Sequence, residues 1–496
     1  MRIHIKNTKS VCPECNRVVD ATVYAEGGKV YIEKRCPEHG EFRDVYWGDY
    51  EQYMRVLKYE HLGTPLDNPR TETVKGCPFD CGICPNHKSH TVLGIIDVTN
   101  RCNLNCPICF AHAGAAGYVY EPTLEQIREM MLNLRSNNPP APALQLSGGE
   151  PTVREDLPEI VRMAKELGFK HVEVDSNGLK LAESVDYCRE LREAGADTIY
   201  LQFDGTKPKS YIAARGRNLL PTKLKALENL RKAGFKSVVL VPTLVGGVND
   251  DQIGEIIEFA VKNSDIVRCV NFQPVSITGR IKYEEREKMR ITIPDLMRLC
   301  EEQTNGRIKR SDWYPVPTVV PLSKLVEAFM GKRYVEFSCH PHCGMATYII
   351  TEGDEYKPIT QMINVDGFLE AVEDAIREAE QGHRTKAKLK VATAAMKYIP
   401  RGFLFKYLLP LLWTADYEPL RQLHMRMIMI GSMHFMDKFN FDLERVERCI
   451  IHYATPDGRL IPFCTYNNFH RKAVERKFSI PIEEWRRTRS VAVTHS

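Results

Sequence analysis

From about residue 91 the chain repeats one alternation of apolar and polar positions six times. Short apolar runs fall at residues 92–98, 143–146, 171–174, 198–203, 237–244 and 267–272. Between them lie helical patterns such as Leu124, Ile127, Met130, Met131 and Leu134, whose three-to-four spacing puts the apolar side chains on one face. Strand, loop and helix in alternation predict parallel strands joined by crossover helices. Six units predict an α/β fold built on a partial (β/α)6 barrel, short of the closed form with eight. Polar residues and glycines follow nearly every run: 147–151, 175–178, 204–205 and 246–249. In parallel α/β folds ligands sit at the carboxyl ends of the strands, so these loops are the expected rim of the active site.

Ahead of the barrel, residues 11–40 show strict two-residue alternation at 18–24 and 29–33, joined by Glu26, Gly27 and Gly28 as a hairpin turn. Two knuckles flank the pair, Cys12 and Cys15 on one side, Cys36 and His39 on the other. Four ligands so placed suit one tetrahedral metal in a rubredoxin or zinc-ribbon-like module, and three thiolates with one imidazole fit iron or zinc equally. At 496 residues several structural units are expected. The pattern divides them at 1–60 (metal module), 61–90 (cluster linker), 91–290 (barrel) and 291–496 (a C-terminal α+β iron-sulfur extension).

Thirteen of the sixteen cysteines stand in metal-ligand groups or in the paired C-terminal region, and the residues before Cys12 contain no apolar signal core. The expected setting is reducing cytoplasm. Cys188, Cys269 and Cys300 are scattered and read as buried thiols. A net charge of +4 without a run of basic residues gives no nucleic-acid partner.

Directly after the first barrel strand come Cys102, Cys106 and Cys109, a Cys-x3-Cys-x2-Cys triplet with Phe110 behind it. Three thiolates leave one iron of a [4Fe-4S] cluster open to bind another molecule. With Gly148, Gly149, Glu150 and Pro151 after the second strand, residues 91–280 resemble the radical S-adenosylmethionine (SAM) superfamily. The resemblance implies that the open iron chelates SAM and cleaves it to a carbon radical. It also implies that Gly148 to Pro151 meet the SAM amino group, through backbone and Glu150, and that Ser176 and Asn177 bind the ribose side. Glycines there would let the backbone approach the ligand closely.

A second triplet, Cys77, Cys81 and Cys84, has the same spacing without a glycine element of its own, and reads as an auxiliary cluster or a structural zinc site. Its fourth ligand is open between His87, His90 and a distant Cys, or the position stays open to substrate. Cys339 and Cys343 are far in sequence from Cys449 and Cys464, yet the four together would close a third [4Fe-4S] site. A hairpin around Pro456, Asp457 and Gly458 would bring the last two near one another. The cofactors expected are thus three [4Fe-4S] clusters, SAM and one mononuclear Fe or Zn.

Residues 403–413 form an apolar run interrupted by Lys406 and Pro410, followed by Met425, Met427, Met429, Met433 and Met436. The run is shorter than the ~20 residues of a membrane span. It reads as the lining of an apolar tunnel, a membrane-interface segment or an ordinary buried helix pair. The order of cysteine groups resembles archaeal tetraether lipid synthases along nearly the whole chain. That resemblance implies carbon-carbon coupling of two isoprenoid ether-lipid chains at terminal methyl carbons, at a membrane surface, with electrons from a donor such as ferredoxin. Competing readings are a radical SAM methylase of a small heterocycle such as a pterin, and an iron-sulfur electron carrier.

Overall fold

The computed structural model describes residues 1–402 and 426–487 in full, and residue 403 and residues 488–493 by backbone only. The apolar run at 403–413 and Met425 therefore lie outside the described side chains.

The N-terminal module is an antiparallel meander of β1 (Ile3–Val11), β2 (Val18–Glu26), β3 (Lys29–Cys36) and β4 (Gly40–Trp47). Glu26 pairs with Lys29, which leaves Gly27 and Gly28 as a two-residue loop with φ of 58° and 79°. Positive φ at both positions is what such a turn demands, and glycine meets it without strain. Alternate residues Val23, Val30 and Ile32 are buried with Tyr46 and Trp47.

The barrel sheet runs in chain order through β5 (Leu93–Thr99), β6 (Ala143–Gly148), β7 (His171–Ser176), β8 (Thr198–Gln202), β9 (Val238–Val241) and β10 (Val267–Pro274), all parallel. Helix α1 (Leu124–Arg135) follows β5. Thr123 starts it with a capping box: the Gln126 backbone N–H donates to Thr123 Oγ1, and Thr123 N–H donates to Gln126 Oε1. Ile127, Met130, Met131 and Leu134 form its buried face, as the spacing predicts.

The strands differ from the expected apolar runs in one respect that matters for the site. Leu144, Leu146, Val172, Val174, Ile199 and Leu201 point outward and are fully buried in the same core as the helices. Their neighbours Gln145, Ser147, Asp175, Tyr200 and Gln202 point inward and line a cavity. Parallel strands covered on both faces are usually apolar throughout; here the inner face is polar because it surrounds a ligand site rather than a packed core.

Segments from the C-terminal third extend both edges of this sheet. Strand β12 (Met427–Met433) lies parallel to β10, and β11 (Gly344–Glu352) runs antiparallel beside β12. At the other edge β13 (Ile451–Ala454) lies parallel to β5, with β14 (Leu460–Pro462) antiparallel to it. The β13–β14 hairpin turns as expected: Thr455 N–H donates to Arg459 O at 3.1 Å, and Gly458 has φ of 80°. Met427, Met429 and Met433 belong to a strand, so the helix-pair reading is corrected for them. Interleaved Ile428, Ile430 and Ser432 are buried, and this two-residue alternation with β-branched residues is the strand signal.

The N-terminal module sits on the loop before β13. Lys34 Nζ donates to the Lys438 and Phe439 carbonyls at 2.6 and 3.0 Å. Thr8 and Tyr46 donate to the two oxygens of buried Asp442, each at 2.7 Å.

Candidate functional site

The triplet loop leaves β5 and is fixed from two sides by arginines. Buried Arg215 forms a two-pronged pair with Asp204, at 2.8 and 2.7 Å, and donates to Ile108 O at 2.8 Å. Arg280 donates to Asn105 Oδ1 at 2.5 Å, to Cys106 O at 3.1 Å and to Ala113 O. Between these clamps Cys102, Cys106 and Cys109 line one cavity. Burial pushes the Cys102 thiol up to about 12. A metal that binds thiolate must displace that proton, so the loop is shaped before it is charged.

Opposite lies the glycine step. A Cβ on Gly148 would sit 2.1 Å from Thr99 O, and one on Gly149 2.2 Å from Arg101 O. Gly149 and Glu150 N–H donate to those same carbonyls at 2.8 and 2.9 Å. Both glycines are therefore required by backbone packing against the end of β5, a cause independent of ligand approach. Gly148, Gly149 and Pro151 line the cavity with Ser176 and Asn177.

Glu150, the acidic residue of this element, is 1% exposed. Its Oε1 accepts from Thr152 Oγ1 at 2.6 Å and Ser176 Oγ at 2.9 Å, and its Oε2 accepts from Asn177 N–H at 2.6 Å. Asn177 Nδ2 donates to Asn103 Oδ1 at 2.7 Å, inside the triplet loop. One carboxylate thus joins the second-strand loop to the third-strand loop, and the latter to the cysteines. Lys223 closes the network by donating to Asn177 O, and to Gln202 Oε1 at 3.0 Å; burial lowers its pKa to about 8.

The N-terminal ligands form one compact group. Cys12, Cys15, Cys36 and His39 offer ligand atoms that all lie within 4.8 Å of one another, which fits a single tetrahedral metal. The His39 hydrogen bond lowers the Cys36 thiol to about 6. Cys339, Cys343, Cys449 and Cys464 approach one another from separate elements: burial raises the Cys339 and Cys464 thiols, and the Cys343 and Cys449 charges raise both further. Arg445 Nε donates to Cys343 Sγ at 3.5 Å, and Met436 N–H to Cys464 Sγ at 3.3 Å. Cys464 also lines the cavity that holds the Cys102 triplet.

Cys77, Cys81 and Cys84 gather around a small cleft with His87. Asp80 shapes this loop by accepting from three successive backbone N–H groups, Val74 to Gly76. His90 is excluded as their fourth ligand, because Nδ1 is engaged with Thr64 O and Nε2 accepts from Glu336 N–H. Sequence reasoning missed His470, which contacts Cys81 and bonds to Pro78 O at 2.8 Å. No spacing rule links a histidine so distant in the chain to this triplet.

Also missed was the polar barrel interior. Gln145, Asp175, Tyr200, Gln202 and Gln273 line the floor of the cavity, while Phe435, Tyr453 and Phe463 form an aromatic wall near Cys464. The signal lay in the alternate positions of runs read as uniformly apolar.

Comparison with known proteins bears on the same two regions. Residues 96–260 match the radical SAM superfamily, and residues 4–48 match the HMPTM N-terminal zinc ribbon domain. A 7,8-dihydro-6-hydroxymethylpterin dimethyltransferase of Methanocaldococcus jannaschii is 52% identical over 98% of both chains. A GTP 3',8-cyclase of Peptoclostridium acidaminophilum is 27% identical over 45% of this chain and 68% of its own. The solved SuiB of Streptococcus suis, bound to its precursor peptide SuiA, aligns with a TM-score of 0.36 at 18% identity, covering 44% of this chain and 47% of its own.

These findings overturn the lipid-coupling expectation and its isoprenoid partner. The full-length relative is a pterin dimethyltransferase, and a polar cavity floor is poorly matched to saturated hydrocarbon, which offers no hydrogen bonds to its buried amides and carboxyl. Among the described residues no helix is long and apolar enough to cross a membrane. The partial barrel, the zinc ribbon and full-length identity agree: this chain is a radical SAM enzyme and belongs to the family of the 7,8-dihydro-6-hydroxymethylpterin dimethyltransferase.

Proposed function

We propose that this enzyme methylates a pterin, 7,8-dihydro-6-hydroxymethylpterin, by radical chemistry. The observation that carries the reading is a single cavity bounded by the Cys102 triplet on one side and Cys464 on the other, with a polar floor between them. A flat heterocycle rich in donors and acceptors suits that floor and the aromatic wall. Identity to a pterin dimethyltransferase over 98% of the chain supports it.

In this reading Cys102, Cys106 and Cys109 hold the cluster to which SAM binds, and together they supply a carbon-centred radical when bound. Gly148, Gly149 and Pro151 border the SAM side, and Ser176 and Asn177 the ribose side. Glu150 positions both loops from behind. The Cys339, Cys343, Cys449 and Cys464 group holds a second cluster at the far wall, and Cys77, Cys81 and Cys84 a third. Cys12, Cys15, Cys36 and His39 hold one metal ion that braces the N-terminal sheet. The barrel encloses the ring and keeps water from the radical.

Expression in a host that makes 7,8-dihydro-6-hydroxymethylpterin tests this directly, with mass spectrometry of the cell's pterins. A pterin carrying two added methyl groups, absent from cells making the Cys106→Ala protein, is the expected result. Unaltered pterins alongside active SAM cleavage by the purified protein would reject the substrate while leaving the enzyme class standing.

A further inference from the structure

Inside the barrel one carboxyl has no cationic partner among the described residues. Asp175, at the end of β7, lines the cavity floor, and Gln145 Nε2 donates to its Oδ1 at 2.6 Å. The other acids nearby are accounted for: Asp97 pairs with Arg471, and Glu173 lies 3.8 Å from His171. Neither Arg215 nor Lys223, the cations of the network above, is bonded to Asp175; they are held by Asp204 and by Asn177 and Gln202. Burial raises the Asp175 pKa well above its ordinary value; hydrogen bonds from Ser147 and Gln145 work against the rise, and the Glu173 and Asp97 charges add to it. A carboxyl kept in such a place at that cost calls for a ligand that brings hydrogen-bond donors.

Directly across the strand register from Asp175 stands Tyr200. Its hydroxyl oxygen accepts from Asn271 Nδ2 at 2.5 Å and from Gln273 Nε2 at 3.0 Å. With both acceptor positions filled, the tyrosine proton is left to donate. In its ionised form Asp175 presents acceptors beside the Tyr200 donor, and a ligand that brings donors favours that form. A pterin ring carries the complement along one edge: the 2-amino and N3–H groups donate side by side, and the 4-oxo oxygen next to them accepts.

We infer that Asp175 accepts hydrogen bonds from the 2-amino and N3–H groups of the pterin and that Tyr200 donates to its 4-oxo oxygen, so that these two residues set ring specificity. Gln145 is a positioning residue that fixes the carboxyl through Oδ1. The inference rests on the pterin reading above and deepens it.

The test compares binding of 7,8-dihydro-6-hydroxymethylpterin with that of its 2-oxo (lumazine) counterpart by equilibrium dialysis, using anaerobically reconstituted holoenzyme saturated with SAM. The 2-oxo ring turns a carbonyl toward Asp175 in place of an amino group. Wild-type protein is expected to prefer the pterin by about a hundredfold or more, as sites built around a ligand N–H reject analogues lacking it. Asp175→Asn should weaken pterin binding about ten- to hundredfold and erase the preference, because a carboxamide can donate to the 2-oxo group. SAM affinity in that variant should stay within about twofold of wild type. Tyr200→Phe should weaken both rings alike, since both carry the 4-oxo oxygen.

Unchanged ring preference in Asp175→Asn overturns the assignment and leaves the pterin reading intact. Loss of SAM binding in that variant overturns it too, by assigning the carboxyl to SAM. Failure of wild-type protein to bind either ring rejects the pterin reading itself, and the assignment with it.

Discussion

The N-terminal metal group and the C-terminal cysteine group are both built from four ligands, yet they stand in different relations to the rest of the molecule. Cys12, Cys15, Cys36 and His39 lie within 28 residues of one another on two turns of one small sheet, and none of them lines the cavity. Cys339, Cys343, Cys449 and Cys464 are drawn from separate elements at both edges of the barrel sheet, and Cys464 reaches the cavity that the Cys102 triplet lines. A local group braces the strands that carry it. A group assembled from distant elements depends on the completed fold, and in return it faces the reaction space.

The sharpest reference for that contrast is Cys106→Ala, which should reduce 5'-deoxyadenosine formation from SAM to the level of a control without enzyme. Cleavage that persists would move the catalytic role to another triplet. Next in size, Cys464→Ala is expected to lower methylated pterin by about a hundredfold, the upper end of what loss of a supporting metal contact costs, while deoxyadenosine falls only a few-fold. Equal losses of the two products would place Cys464 at the same step as Cys106.

Cys36→Ala probes the other side of the comparison. It should release the N-terminal metal, measurable by elemental analysis, and lower stability by about 4 kcal/mol, with little change in turnover per folded molecule. A turnover defect in protein that is still folded would break the distinction between bracing and reacting groups. The smallest effect belongs to Gly149→Ala, whose Cβ meets the Arg101 carbonyl. Denaturant unfolding should show a loss of about 1 to 3 kcal/mol, and an unchanged midpoint would mean that the loop shifts freely.

What the sequence disclosed follows the same division. Turn chemistry at Gly27 and Gly28 and around Gly458 and the face of α1 are determined by neighbours in the chain and are found where they were expected, and the closely spaced Cys102, Cys106 and Cys109 line one cavity. The approach of Cys449 to Cys464 was readable because the β13–β14 hairpin had its own local signal, whereas no local signal tied them to Cys339 and Cys343. The Asp175–Tyr200 pair was not readable because strand register defines it, and His470 was not because a helix distant in the chain brings it to Cys81. For Glu150 the shared motif disclosed a ligand-side role only by resemblance, and its hydrogen bonds to Ser176 and Asn177, which tie two loops together, had no signal in the spacing.

The substrate was misread for a related reason. A series of cysteine groups reports which clusters a chain can hold, and an apolar run reports that something must be covered. Neither reports what the enclosed space will accept. That information sits in Gln145, Asp175, Tyr200, Gln202 and Gln273, one side chain from each alternate step of strands whose other face supplies the core.

The docking of β13 beside β5 has a consequence for how the protein is made. During synthesis β5 emerges early, and its partner on that side appears only several hundred residues later. Until then an open strand edge is exposed beside the Cys102 loop, and so are the nascent barrel's mouth and its thiols. The strands that close this edge are thus made well after the cysteine loops at residues 77–84 and 102–109. A chain terminated before residue 451 would keep that edge permanently open and would be expected to aggregate rather than remain as a smaller working barrel.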